Sequence, residues 1–78
     1  MAALAEEDTE LFEALRVLRR MIASEQKIPP YMVFSDKTLV HMSTMKPSND
    51  EEMLEVNGVG EHKLQKYGER FLNEIQKI

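Results

Sequence analysis

The chain of 78 residues contains no cysteine and only three glycines and three prolines. Without cysteine it has no disulfide, no thiolate metal ligand and no thiol nucleophile. No apolar run approaches the roughly 20 residues that a membrane span requires, and no signal-peptide pattern opens the chain. We therefore expect a cytoplasmic domain that depends on ordinary side-chain packing.

Basic residues are outnumbered by acidic ones, with 10 lysines and arginines against 14 aspartates and glutamates and a net charge of −4. This balance disfavours a strong electrostatic binder of nucleic acid, so any such binding requires a local basic patch. Runs of β-branched residues are short and scattered, which disfavours a β-sandwich and favours a helical fold.

Hydrophobic periodicity predicts an all-α fold, a compact bundle of about five helices with two long and three short, in one domain over residues 9–78. Residues 1–8 are acidic and rich in alanine, and we interpret them as a lead-in or linker remnant. The first long helix is predicted from Thr9 to about Lys27. Its apolar positions recur at steps of three and four: Leu11, Leu15, Leu18 and Ile22.

The second long helix is predicted over roughly Glu61 to Lys77, from a stripe of apolar residues and one glycine: Leu64, Tyr67, Gly68, Phe71, Leu72, Ile75 and Ile78. We expect Gly68 to permit close approach of another helix. Short helices are predicted near Pro30, after a cap at Ser35 or Asp36, and near Asp50 to Glu55. For the last of these, Ser48 and Glu51 stand at the spacing of a capping box.

Neither histidine belongs to a motif that would support catalysis or bind a metal. His41 and His62 lie far apart in the sequence, and no HExxH arrangement or serine-centred elbow is present. Carboxylates at helix caps and on polar faces have a sufficient structural explanation. We predict no catalytic residue, no metal and no cofactor, and interpret both histidines as structural.

The segment "EVNGVGEHK" (residues 55–63) leaves two alternatives open. Gly58 and Gly60 fit the turn of a helix-hairpin-helix motif. In such a turn the first glycine takes a positive φ at the end of one helix, and amides at the start of the next helix bind a phosphate, with Lys63 and Lys66 adding charge. Alternatively, Gly58 ends one helix and Gly60 is a packing glycine. Glu61 opposes an anion at this turn.

Tyr31 follows two prolines and also leaves two alternatives. Its ring could be exposed and stack on an unpaired base, or it could pack on the core with only its hydroxyl in water. Burial tendencies favour packing. Several basic residues bracket this segment: Arg16, Arg19, Arg20, Lys27 and Lys37.

Three blocks of sequence together resemble a known family: the Leu-Arg-x-Leu-Arg helix, "PPYMVFSDKTL" and "VNGVGEHKLQKYG". From about Leu11 to Ile75 the chain resembles the HRDC (helicase and RNase D C-terminal) domain, especially that of bacterial RecQ-type DNA helicases. The resemblance implies a compact bundle of about five helices that is not itself catalytic. The parent protein would be an ATP-dependent DNA helicase, acting in repair and recombination at the bacterial nucleoid.

The resemblance further implies that the domain helps engage single-stranded or branched DNA, and we expect it to be a monomer. Tyr31 matches the aromatic of the Pro-Pro-Tyr block that is associated with single-strand contact. Lys27, Lys37 and the basic residues near Arg20 would surround it. An alternative function is docking on the parent helicase core, or on a repair partner, through an acidic surface.

Overall fold

The computed structural model describes residues 9–77, and within this range every regular element is helical. The elements are α1 (Thr9–Gln26), a 3₁₀ turn (Pro30–Met32), α2 (Asp36–Met45), α3 (Asp50–Leu54), α4 (Glu61–Lys63), a π segment (Leu64–Gly68) and α5 (Glu69–Lys77). The last three are continuous and are called the C-terminal helix below. The predicted all-α bundle of about five helices is confirmed. The interpretation of residues 1–8 as a linker lies outside the described residues.

The core forms where the two long helices face each other. The predicted apolar positions of α1 are all buried, as are Tyr67, Phe71, Leu72 and Ile75 of the C-terminal helix. Phe34 lies between them, with its ring edge-on to Phe71 at a centroid distance of 5.0 Å and to Tyr67 at 5.9 Å. Such edge-to-face pairs contribute about 0.5–1.5 kcal/mol beyond the area that they bury. The segment that precedes α2 is therefore anchored in the centre of the core.

Two helix starts show how the caps are made. Ser35 caps α2, where its hydroxyl accepts a hydrogen bond from the Thr38 amide, so the first of the two predicted caps is confirmed. The prediction of a capping box at Ser48 and Glu51 is wrong by one residue, because Asn49 is the residue that caps α3. Asn49 accepts from the Glu52 amide at 2.8 Å, and the Glu52 carboxylate in turn accepts from the Ser48 amide at 2.8 Å. The spacing of Asn49 and Glu52 fits this motif equally well.

The C-terminal helix contains a feature that periodicity did not predict, the π segment at Leu64–Gly68. A Cβ atom on Gly68 would lie 2.5 Å from Cδ1 of Leu64, one turn earlier in the same helix. Gly68 therefore accommodates Leu64, and the expectation that it also admits another helix stays a prediction. A stripe with steps of three and four tolerates one widened turn, so the pattern alone does not reveal it.

Candidate nucleic-acid interface

The segment between α1 and α2, residues 27–35, is called the Pro-Pro-Tyr loop. It begins with Lys27 in the left-handed conformation at φ 59°. The Lys27 amide donates to the Ser24 carbonyl at 3.3 Å, and the Ile28 amide donates to the Ala23 carbonyl at 3.0 Å. These two bonds form a Schellman motif, in which glycine is the usual residue at the position that Lys27 holds. The loop therefore leaves α1 in a fixed direction, with a lysine at a strained position.

The tip of the loop presents an exposed aromatic ring on a rigid turn. Pro29 and Pro30 lead into the 3₁₀ turn, which is closed by the Met32 and Val33 amides donating to Pro29 and Pro30. Tyr31 is 68% exposed and Met32 is 48% exposed, while Val33 is fully buried. The alternative in which Tyr31 packs on the core is therefore wrong, and its ring faces solvent.

Arg19 ties this loop to α1, a role that was not predicted when Arg19 was grouped with the other basic residues that bracket the segment. The residue is only 9% exposed. One guanidinium nitrogen donates to the Phe34 carbonyl at 3.0 Å, and the other lies 2.8 Å from an Asp36 carboxylate oxygen. The available signal was its spacing, because Arg19 follows Leu15 by four residues and precedes Ile22 by three, which places it at the edge of the apolar face.

Two lysines of the C-terminal helix lie against the aromatic residues that anchor the loop. The Lys63 ammonium is 5.8 Å from the centroid of the Phe34 ring, and the Lys66 ammonium is 5.4 Å from that of Tyr67. The Tyr67 hydroxyl donates at 3.0 Å to Gln26, the residue before Lys27. The fold therefore brings Lys63 and Lys66 to the base of the loop, far from it in sequence.

Nine of the ten lysines and arginines divide into two sets by their partners. Arg16, Arg19, Arg70 and Lys77 each pair with a carboxylate. Within residues 9–77, five others show no ion pair with a carboxylate: Arg20, Lys27, Lys37, Lys63 and Lys66. An ion pair offsets much of the charge that a cation presents to other ions, so the second set supplies most of the positive charge open to an anion.

Arg20 and Lys37 lie beside the loop on the two helices that it joins. Arg20 is exposed on α1, next in the sequence to the Arg19 that contacts the loop. Lys37 is exposed in the first turn of α2, next to the Asp36 that pairs with Arg19. The carboxylate nearest to Lys37 in the sequence is therefore engaged by Arg19.

The NGVG turn joins α3 to the C-terminal helix. Gly58 has φ +95°, and a Cβ there would overlap Oγ1 of Thr38, so the predicted positive φ at the first glycine is confirmed. Nothing lies within 4 Å of a Cβ built on Gly60, which shows that Gly60 is not a packing glycine. His41 fixes the turn from α2, because its Nδ1 accepts from the Asn57 amide at 2.8 Å. The structural interpretation of His41 agrees with this contact.

Two further kinds of functional feature, a metal site and a membrane-spanning helix, can be assessed over residues 9–77. No cluster of three histidine, aspartate or glutamate side chains is arranged to hold a metal ion among residues 9–77. The helices described there are also too short or too polar to cross a bilayer.

Comparison with known proteins agrees with this fold. The family model described as the HRDC domain matches residues 8–75. The chain belongs to the HRDC domain family. It is 56% identical over 75 residues to the ATP-dependent DNA helicase RecQ of Bacillus subtilis, and 46% identical over 74 residues to RecQ of Haemophilus influenzae. These alignments cover 96% and 95% of this chain, but only 13% and 12% of the two helicases.

A solved structure shares the HRDC fold closely. It is described as "D. radiodurans RecQ HRDC domain 3", and it superposes with a TM-score of 0.86 at 38% sequence identity. The match covers 88% of this chain and 91% of that one. The predicted resemblance to the HRDC domain of RecQ-type helicases is therefore confirmed, both in sequence and in structure. Mycobacterium tuberculosis UvrD2, another protein named as an ATP-dependent DNA helicase, is 35% identical over 72 residues.

Proposed function

We propose that this HRDC domain is an accessory DNA-binding module of a RecQ-type, ATP-dependent helicase in the bacterial cytoplasm, where it engages single-stranded or branched DNA during repair and recombination. The observation that carries the proposal is the exposed Tyr31 ring on a rigid turn, in a segment flanked in the sequence by Lys27 and Lys37, neither of which forms an ion pair within the described residues. Tyr31 would stack on an unpaired base. Lys27, Lys37 and Arg20 would contact phosphates around it.

The arrangement suits a single strand because stacking and charge act together there. Every base has a flat face, so a ring can bind without sequence preference, and stacking is worth roughly 1–3 kcal/mol per base. Tyr31 needs no large rearrangement, since Val33 and Phe34 are buried immediately after it. Local positive charge allows this contact on a domain whose net charge is −4.

The C-terminal helix would extend the contact along the strand. Lys63 and Lys66 lie over the Phe34 and Tyr67 rings at the base of the loop. Gly60 leaves open space before the first amides of α4, so a phosphate can approach the backbone beside Gly58 and Gly60. Because the Glu61 carboxylate borders this turn, we expect the turn to bind a phosphate more weakly than the Pro-Pro-Tyr loop does.

Fluorescence anisotropy with a labelled oligothymidine tests the proposal. Tyr31→Ala should weaken binding by roughly 5- to 150-fold, which is the stacking energy expressed as a ratio. Tyr31→Phe keeps the ring and should bind like the wild type. Met21→Ala removes another half-exposed apolar side chain, on α1, and serves as the matched control.

Salt dependence separates stacking from charge. Lys37→Ala should flatten the salt dependence by roughly 0.7 units of slope per lost contact on a single strand, whereas Tyr31→Ala should leave the slope unchanged. Absence of binding by the wild-type domain even at low salt would refute the proposed function.

A second candidate function, docking on a protein partner such as the parent helicase core, is favoured by a different surface. A cleft of about 400 Å³ between α3 and the C-terminal helix is lined by Asp50, Leu54, Glu61, Leu64, Gln65 and Glu69. None of its three carboxylates forms an ion pair within the described range. A basic segment with an apolar residue would suit this cleft. Loss of that partner's binding on Glu69→Lys, with DNA binding unaffected, would support it.

A further inference from the structure

Arg19 has an arrangement that core stability alone does not explain. Its guanidinium is buried, yet its Nε has no hydrogen-bond partner in the described structure, and its carboxylate partner Asp36 is mostly exposed. Burying a charge costs free energy that a single, partly solvated ion pair seldom recovers, and an apolar residue of similar volume often stabilises such a site better. The contacts of Arg19 therefore call for another explanation.

Those contacts join the three parts of the candidate interface. Arg19 itself belongs to α1, next to Arg20. Its first contact is the Phe34 carbonyl, two residues after the 3₁₀ turn that carries Tyr31. Its second is Asp36, beside Lys37 in the first turn of α2. One planar guanidinium thus fixes the end of the Pro-Pro-Tyr loop relative to both helices.

We infer that Arg19 is a positioning residue for single-stranded DNA binding, which holds the Pro-Pro-Tyr loop and the start of α2 so that Tyr31 and Lys37 meet the same strand. This inference rests on the proposed function. Arg19 does not contact DNA itself, because its charge is buried and engaged by Asp36. The planar guanidinium is essential, because its two terminal nitrogens contact two different groups, the Phe34 carbonyl and the Asp36 carboxylate. A lysine is a point charge that cannot hold both groups in this fixed arrangement.

Asp36→Asn separates positioning from simple electrostatics, because the two accounts predict opposite signs. Removing a carboxylate beside a DNA-binding surface should tighten binding if charge alone matters. If Arg19 positions the loop, the weakened Arg19–Asp36 contact should instead weaken oligothymidine binding. A loop that is competent in only a tenth to a third of molecules would bind roughly 3- to 10-fold more weakly. Glu51→Gln removes an exposed carboxylate on α3 and is the matched control, with affinity equal to or slightly above that of the wild type.

Substitutions of Arg19 give the second test. Arg19→Lys keeps the charge and Arg19→Met removes it, and both should weaken binding to a similar extent with the salt slope unchanged. A direct phosphate contact would instead lower the slope in Arg19→Met and be largely rescued in Arg19→Lys.

Hydrogen exchange provides a readout that does not involve DNA, and the Met32 and Val33 amides, which close the 3₁₀ turn, should exchange faster in both variants. The Asp36→Asn comparison keeps the inference testable if the Arg19 variants fold poorly.

The outcomes distinguish this inference from the proposed function. If the wild type binds and Tyr31→Ala weakens binding, while Asp36→Asn binds as tightly as the wild type or more tightly, Arg19 is not a positioning residue and the proposed function stands. If the wild type does not bind at all, the proposed function fails, and the inference fails with it. Weaker binding by Asp36→Asn and by Arg19→Lys, with faster exchange at Met32 and Val33, is the expected result.

Discussion

Lys27→Gly should raise the stability of the domain and lower its affinity for DNA. Lys27 holds a left-handed backbone at φ 59°, which costs a residue with a Cβ atom about 1–2 kcal/mol. Glycine avoids that cost but loses about 0.5–1 kcal/mol through its greater freedom in the unfolded chain. Lys27 is exposed and forms no ion pair in the described structure, so its side chain contributes little to stability. The net gain should be about 0.5–1 kcal/mol.

The same substitution removes one of the proposed phosphate contacts. One contact on a single strand accounts for roughly 0.7 units of salt slope, which corresponds to about fivefold in affinity at 0.1 M salt. Thermal unfolding should show a midpoint higher by roughly 2–8 °C, and anisotropy titrations should show the weaker affinity and flatter slope.

The matched control is Lys46→Gly, because Lys46 is also left-handed, at φ 49°, where α2 ends. It removes a cation away from the Pro-Pro-Tyr loop and should leave the salt slope unchanged. A lower unfolding midpoint for Lys27→Gly would refute the backbone reasoning. An unchanged affinity and slope would remove Lys27 from the DNA contact.

Three further predictions concern stability. Phe71→Ala should lower the free energy of unfolding by about 3–5 kcal/mol, measured with denaturant, because the ring is fully buried and packs edge-on against Phe34. A loss below about 1 kcal/mol would contradict that packing. Gly58→Ala should cost about 1–3 kcal/mol, since alanine would adopt φ +95° and overlap Thr38; unchanged stability would show that the turn relaxes freely. Glu25→Gln should lower stability at neutral pH and match the wild type in acid. The hydrogen bond and charge of Arg70 lower the pKa of Glu25, so its contribution is present above the ordinary carboxyl pKa and is lost as pH falls through the lowered one. A difference that persists in acid would contradict this.

The sequence was sufficient for the elements whose residues determine them locally. The recurrence of Leu11, Leu15, Leu18 and Ile22 predicted α1, and Ser35 was an expected cap for α2. Gly58 was predicted to adopt a positive φ because few other residues tolerate that conformation. In each case a few neighbouring residues specify the structure, so no knowledge of the tertiary fold is needed.

Features that depend on packing between distant segments were not predictable in the same way. Arg19 looked like one more surface cation, because its partners Phe34 and Asp36 become its neighbours only when the loop folds back on α1. The contact of Lys63 with the Phe34 ring arises from the same tertiary arrangement. The exposure of Tyr31 differs from the ordinary burial tendency of tyrosine. Val33 and Phe34, which follow it, fill the adjacent part of the core, so the Tyr31 ring remains in solvent.

Amide chemical-shift mapping of the labelled domain with oligothymidine tests the central claim most directly, because it locates the contact without any substitution. We expect the largest shifts in the Pro-Pro-Tyr loop and at Lys37, with smaller ones at Lys63 and Lys66. Shifts centred on the acidic cleft between α3 and the C-terminal helix, or no shifts with saturating DNA at low salt, would contradict the account.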